Sequence, residues 1–394
     1  MKLLFVVSSL DLTQPFSATP AWWQLMKGLY EEGVDVVATP YQGPAIETLW
    51  WRAAPNPARA MGDIFKGVRD GARRLLPAAE NSQQSKEETL SQQAIRTTAR
   101  TLIAPIWLRH LDKLLTEQPD IDAVIFLTVP LNHLQGVAGE LIARHGKPVF
   151  YYDGDVPASL PNAQGFASGF RIYDGADPGE YTAFISNSDG GRAALEALGA
   201  KAVHTLYYGA DPDVFAPVPV PQQDIDALFY GHGREYREQW VDAMLTEPSR
   251  QLPDATFAVR GTQLGDLGPV QHLPYLSFSR LREYACRSKL NLVITRGAHA
   301  NLTRSSSSRP FELAAMGCCM VCNPYEGIEA WFEPGEELFV VSSAEEAVER
   351  YQYLLTHEAE RKRVGLAARQ RLLKQHTFRH RARKLLKIIA PYTE

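Results

Sequence analysis

The strongest constraint on this chain is a rhythm. Short apolar runs (LLFVVSS at 3–9, VDVVATP at 34–40, DAVIFLTV at 122–129, KPVFYYDGD at 147–155) alternate with stretches of helical spacing. Trp22, Leu25, Met26 and Leu29 fall at i, i+3, i+4 and i+7, and Gly33 closes that helix before the next run. Runs that are apolar throughout, rather than alternating, suit strands buried on both faces of a parallel sheet. The βα alternation then demands right-handed crossovers and helices on both faces.

The rhythm breaks once and resumes. GADPDVFAPVPVPQQD at 209–224 is rich in proline and reads as a linker. After it come IDALFYGHG, ATFAVRG, LNLVITRG, the helix PFELAAMG and the strand CCMVCNP. A chain of 394 residues is long for one α/β domain and comfortable for two. The expected fold class is therefore α/β, with two doubly wound Rossmann-like domains facing across a cleft. We expect residues 1–212 as the first domain, with an insertion at about 43–117, and residues 213–377 as the second. A C-terminal helix at 378–394 is expected to return to the first domain.

Bulk properties exclude several classes. A net charge of −4 gives no reason to expect a nucleic-acid partner. Cys318, Cys319 and Cys322 sit in one apolar run with no fourth ligand at metal-site spacing, and with Cys286 they are too few for a disulfide scaffold. No apolar stretch approaches the ~20 residues of a membrane span. The expectation is a cytoplasmic protein. Lys66, Arg69, Arg73 and Arg74 beside Phe65 and Leu75 leave peripheral contact at the inner membrane face open, against the plainer reading of a solvated helix face.

The segment TRSSSSRPFELAAMG at 303–317 carries the chemistry. It is a serine-rich loop running into a helix N-terminus, where backbone N–H groups and the helix dipole favour an anion. A diphosphate is the natural guest of Ser306, Ser307 and Ser308. Glu312 in the first turn is placed either to meet ribose hydroxyls or simply to cap the helix.

FELAAMG, the strand after it and NPYEGIEAWFEPGEEL resemble the donor-binding region of retaining glycosyltransferases of the GT-B fold, closest to their CgeB-like (spore-maturation) branch. Arg309-Pro310-Phe311-Glu312, the helix VERYQYLLTHEAERKRVG, His376-Thr377-Phe378 and the linker GADPDVFAPV carry the same resemblance, which covers about 185–380. It implies a nucleoside diphosphate-sugar donor and gives Glu312 the ribose. The broader family's earlier glutamate would stand at 304, where this chain has Arg304. It also implies a glycine turn against the donor at Gly231 and Gly233, with Arg234, Arg237 and Arg296 as candidates to neutralise the leaving diphosphate. Taken singly, each arginine also reads as a solvated charge. His272 and Tyr275 are expected near the base, unless Tyr275 is a core residue.

In the first half, Asp153 ends a strand and is the candidate to meet the acceptor or a sugar hydroxyl. The triplet Asp153-Gly154-Asp155 also evokes metal-dependent transferases, a reading the two-half pattern disfavours. His133 is a further strand-end candidate, or a satisfied loop histidine. The functional expectation is glycosyl transfer from a nucleoside diphosphate-sugar to an unknown acceptor, with retention and with no tightly bound cofactor or required metal. Rival readings are an inverting transferase or epimerase using Asp153 or His133 as base, and a non-catalytic nucleotide-sugar binder.

Overall fold

Buried-type runs become strands. In β1 (Lys2–Ser9) the segment from Leu3 to Val7 is fully buried, and its neighbours β2 (Asp35–Gln42) and β4 (Ala123–Leu127) both lie parallel to it, with Phe5 facing Ala38 on one side and Ile125 on the other. The computed structural model describes residues 1–12, 21–60, 93, 96–161, 171–237, 239–274 and 278–394. Among these, one sheet has the order β3-β2-β1-β4-β5-β6-β7, with β3 (Arg52–Ala53), β5 (Val149–Asp153), β6 (Ala183–Ser186) and β7 (Val203–Thr205). The second has the order β10-β9-β8-β11-β12-β13: β8 (Ile225–Tyr230), β9 (Phe257–Arg260), β10 (Gln271–His272), β11 (Ser288–Val293), β12 (Met320–Cys322) and β13 (Phe339–Val340). Every strand pairing in both sheets is parallel.

Strand order reverses beside the first strand of each sheet, between β1 and β4 and again between β8 and β11. Such switch points open a crevice beyond the carboxyl ends of the strands. The two crevices face one another.

Helices cover both sheets. α1 (Ala21–Glu31) buries Trp22, Leu25, Met26 and Leu29 against the first sheet, and Gly33 at φ +79° ends it. α2 (Ala104–Glu117) is the crossover into β4 and buries Trp107 and Leu111 completely. The segment read as an insertion at 43–117 therefore contributes an edge strand and a core helix. Its composition hid this, because Arg52–Ala53 is too short to show a period. The basic cluster at 66–74 lies outside the described residues. No helix among the described residues is long and apolar enough to cross a membrane.

In the second domain, α3 (Ser308–Ala315) follows the serine loop and stops at Gly317, φ +72°. The long helix α4 (Glu358–Gln375) packs on it, and the chain then crosses back. α5 (Phe378–Ile389) lies on α1 in the first domain, burying Phe378, Ala382, Leu385 and Ile389. All four cysteines are free thiols, and Cys318, Cys319 and Cys322 are buried in the second domain's core.

Candidate functional site: a cationic cleft between two sheets

The facing crevices merge into a cavity of about 650 Å³. Its walls are strand ends: Ser8 in β1, just before it ends at Ser9, Thr128 after β4, Gly154 and Asp155 after β5, Gly231 to Gly233 after β8, Thr295 and Arg296 after β11. Ser307, Ser308 and Arg309, the opening of α3, close one side, and Trp22 and Phe378 border the first domain.

The serine loop divides in two. Ser305 and Ser306 are fully buried and bind the other domain. Ser305 Oγ donates to the Val156 carbonyl at 2.8 Å, and Ser306 Oγ donates to the Asn187 carbonyl at 2.9 Å while accepting from the Tyr208 amide at 3.0 Å. The Ser306 amide also donates to the Asn187 carbonyl, and Asn187 Nδ2 returns a bond to the Ser306 carbonyl at 2.8 Å. Only Ser307 and Ser308 reach the cavity. Ser306, expected in the phosphate cradle, is instead an interdomain fastener, because its hydroxyl is already committed on both sides.

Arg309 leaves the first turn of α3, lies over the Tyr230 ring and donates to Glu312 Oε2 at 2.8 Å. Tyr230 donates to the same oxygen at 2.8 Å. Burial lowers the Arg309 pKa to about 10, partly offset by Glu312, so the guanidinium is charged at neutral pH. Glu312 is fully buried behind this pair, and its carboxylate does not line the cavity. Arg309 takes the frontal position instead.

Arg237 braces the glycine turn. Its Nη1 donates to the His232 carbonyl and, at 2.8 Å, to that of Gly233, and its Nε donates to the Ile294 carbonyl at 3.0 Å. A Cβ at Gly231 would lie 2.6 Å from the Phe229 ring, so the turn requires glycine there. Arg234 points away: it pairs with Asp242 and donates to the Leu264 carbonyl at 2.9 Å, outside the cavity. Arg296 lines the cavity and pairs with Asp155 across the domain boundary. Burial opposes charge on both partners, yet the pairing holds the Asp155 carboxyl below its usual range and the Arg296 pKa above it. Among the described residues, Arg237, Arg296 and Arg309 face the cavity with one carboxylate, Asp155.

The other expected residues are elsewhere. Asp153 is fully buried, accepting from Ser159 Oγ at 2.5 Å, Tyr173 Oη at 2.6 Å and the Asp155 amide at 2.9 Å. Burial raises its pKa. The member of the triplet that reaches the cleft is Asp155, two residues on. His133 is buried against Tyr41, with Nδ1 2.9 Å from Tyr41 Oη, and burial, with Arg100 and Arg96, pushes its pKa down to about 4. His272 is exposed on the edge strand β10 and does not line the cavity, and Tyr275 lies outside the described residues. Sequence reasoning passed over His299, which is one helical turn beyond Arg296 and lines the cavity.

The Asp153–Asp155 pair belongs to no cluster of three metal-ligating side chains among the described residues. The carboxylates that do cluster, Glu31, Asp211 and Asp213, surround Lys27 Nζ, which lies 2.7 Å from Asp211 and 3.3 Å from Asp213. An ammonium from the chain itself occupies the centre of that group.

Two parallel sheets of matching order around one cleft have known counterparts. Sucrose-phosphate synthase from Thermosynechococcus elongatus superposes with a TM-score of 0.65 at 13% identity over 99% of both chains. The chain has the GT-B fold. Anabaena HepE in complex with UDP-glucose matches this GT-B chain with a TM-score of 0.60 at 12% identity, over 99% of this chain and 100% of that one. The UDP-forming α,α-trehalose-phosphate synthase from Burkholderia vietnamiensis matches with a TM-score of 0.61 at 13% identity, over 99% of both. Residues 234–387, within the second GT-B domain and its returning helix, match a family described as glycosyl transferase-like. Among curated proteins, none matches.

Proposed function

We propose that the protein is a glycosyltransferase that moves a sugar from a nucleoside diphosphate-sugar to an acceptor with retention at the anomeric carbon. The observation that carries this reading is the convergence of the α3 N-terminus, Ser307, Ser308 and three guanidinium groups on one cavity between two GT-B domains. Backbone N–H groups and fixed cations in a partly dry cleft suit a diphosphate. The glycine turn at Gly231 and Gly233 lets it approach the backbone. Relatives of the same fold carry UDP-glucose or are UDP-forming, which makes uridine diphosphate the first nucleotide to test.

In this scheme the bond from the anomeric carbon to the β-phosphate oxygen breaks, and its electron pair stays on that oxygen. Arg237, Arg296 and Arg309 stabilise the charge as it develops. The acceptor hydroxyl attacks the same face of the sugar, and its proton passes to the departing phosphate oxygen. Three arginines supply the positive charge, so transfer is expected to continue in EDTA. Retention rests on the resemblance of the 311–338 segment to retaining transferases. Glu312 acts through Arg309, holding the guanidinium over Tyr230.

A thermal-shift titration with UDP and GDP tests the site, since a ligand that binds only the folded state raises Tm. Wild type is expected to shift with one of them, and Arg309→Ala to lose at least tenfold in affinity for it. No shift with either nucleotide refutes the reading. Product configuration, read by the anomeric proton coupling, decides retention.

A further inference from the structure

Away from the cleft, two thiols of the second domain meet. Cys286 stands near the C-terminal end of the helix Phe278–Arg287, and Cys318 follows Gly317 at the end of α3. Cys318 Sγ donates to the carbonyl of Ala285, the residue beside Cys286, at 3.6 Å, and the two thiols share a hydrogen bond. Both pack in one apolar cluster, while Cys319 points into a separate one. Cys286 reaches solvent, and Cys318 is only 7% exposed.

Their surroundings make the two sulfurs unequal. The hydrogen bond with Cys318, then the Val218 amide and the Arg282 guanidinium, hold the Cys286 thiol below its ordinary pKa, although burial opposes them. The bond with Cys286 and burial push the Cys318 thiol up. Thiolate is the form that oxidants attack, so Cys286 reacts first and Cys318 waits beside it with its proton. Burial pushes Cys319 up to about 12 and raises Cys322 as well, which suits inert core residues. Cys286 and Cys318 belong to no group of three metal-ligating side chains among the described residues. Two sulfurs without further ligands suit redox chemistry better than a metal ion.

The position gives the pair something to act on. The segment between the domains is clipped onto the same helix. Arg282 Nη1 donates to the Val214 carbonyl at 3.4 Å, and Gln223 Nε2 donates to the carbonyls of Cys286 at 3.3 Å and Ser288 at 3.2 Å. Helix, linker and the end of α3 therefore come together at the two sulfurs.

We propose that Cys286 and Cys318 form a modification site for hydroperoxides, oxidised reversibly to a disulfide that ties the helix Phe278–Arg287 to the end of α3. The Cys286 thiolate attacks one oxygen of hydrogen peroxide and the O–O bond breaks. Cys286 becomes a sulfenic acid, and the hydroxide released takes up the proton that Cys286 had given to solvent. The Cys318 sulfur then attacks the Cys286 sulfur and the S–O bond breaks. That oxygen leaves as water with the Cys318 proton. Two thiols are oxidised to one disulfide, and one peroxide is reduced to two waters. The site stands independently of the glycosyltransferase reading.

The test treats the full chain with hydrogen peroxide, blocks remaining thiols with iodoacetamide and maps the peptides by mass spectrometry without reduction. In wild type, the peptides carrying Cys286 and Cys318 are expected to be joined within one chain. Two of the four free thiols are lost, and dithiothreitol restores all four. In Cys318→Ser, Cys286 is expected to stop at the sulfenic acid, which dimedone captures. In Cys286→Ser, the three remaining thiols are expected to survive the same treatment. A wild type that is not oxidised overturns the proposal, as does one in which Cys286 passes to the sulfinic acid with Cys318 intact. A disulfide through Cys319 or Cys322, a bond between two chains, or oxidation of Cys318 in Cys286→Ser overturns it too. Should Cys318→Ser fail to fold, the wild-type map and Cys286→Ser, changed at a partly exposed position, decide together.

Discussion

His133 shows how a side chain that looks reactive in a sequence can be a structural debt. It follows a strand, as catalytic histidines do, but the fold buries it against Tyr41 and holds it neutral. With a folded pKa of about 4 against an unfolded value near 6.5, it binds more protons unfolded than folded between those limits. Stability from this residue is complete above about pH 6.5 and is lost as pH falls towards 4. In urea denaturation series, the gap between wild type and His133→Asn is expected to close by about 3 kcal/mol across that window. A gap constant with pH would show that His133 does not titrate in this way. Asp153 and Asp155 teach a related lesson. They differ by two residues and the sequence offered no means of ranking them, because which carboxylate turns outward is set by Tyr173 and Ser159, which come from later in the chain.

At the scale of elements, the strands and most helices were legible, because parallel strands announce themselves as unbroken apolar runs. The crossover helix Ala104–Glu117 fell inside the segment expected as an insertion, since its burial depends on strands distant in sequence. The serine loop stands out in the sequence as one segment, yet nothing in four identical residues marks that Ser305 and Ser306 face the other domain while Ser307 and Ser308 face the cavity. One close contact supports the site from behind. A Cβ at Gly365 in α4 would stand 2.2 Å from the Gly317 carbonyl, at the far end of the helix that opens on the cavity. Backbone cannot yield as a flexible side chain can. Gly365→Ala should therefore cost about 1–3 kcal/mol in urea denaturation and weaken nucleotide binding by shifting α3. Full stability in that variant would mean that the two helices separate without penalty.

For the whole molecule, the relation between the domains matters most, and it was the part least visible in the sequence. The Ser306–Asn187 fastening buries a hydroxyl with partners on both sides. Ser306→Ala leaves the Tyr208 amide without an acceptor, at a cost of about 1–3 kcal/mol. Hydrogen exchange at Tyr208 and proteolysis between the domains are both expected to rise in this variant. Unaltered exchange would show that the fastening contributes little.

The return of the last helix adds a mechanical consequence. The chain passes between the domains twice, and the two passages are bonded to each other: the Ala210 amide donates to the His376 carbonyl at 3.3 Å, and the Phe378 amide to the Ala210 carbonyl at 3.2 Å. A paired ribbon bends more readily than it twists. The domains are thus joined as by the spine of a book, and Phe378, beside that spine, also lines the cleft. Any opening of the cleft would flex the chain beside Phe378, at the wall of the cavity, so that the shape of the cavity and the angle between the domains become one variable.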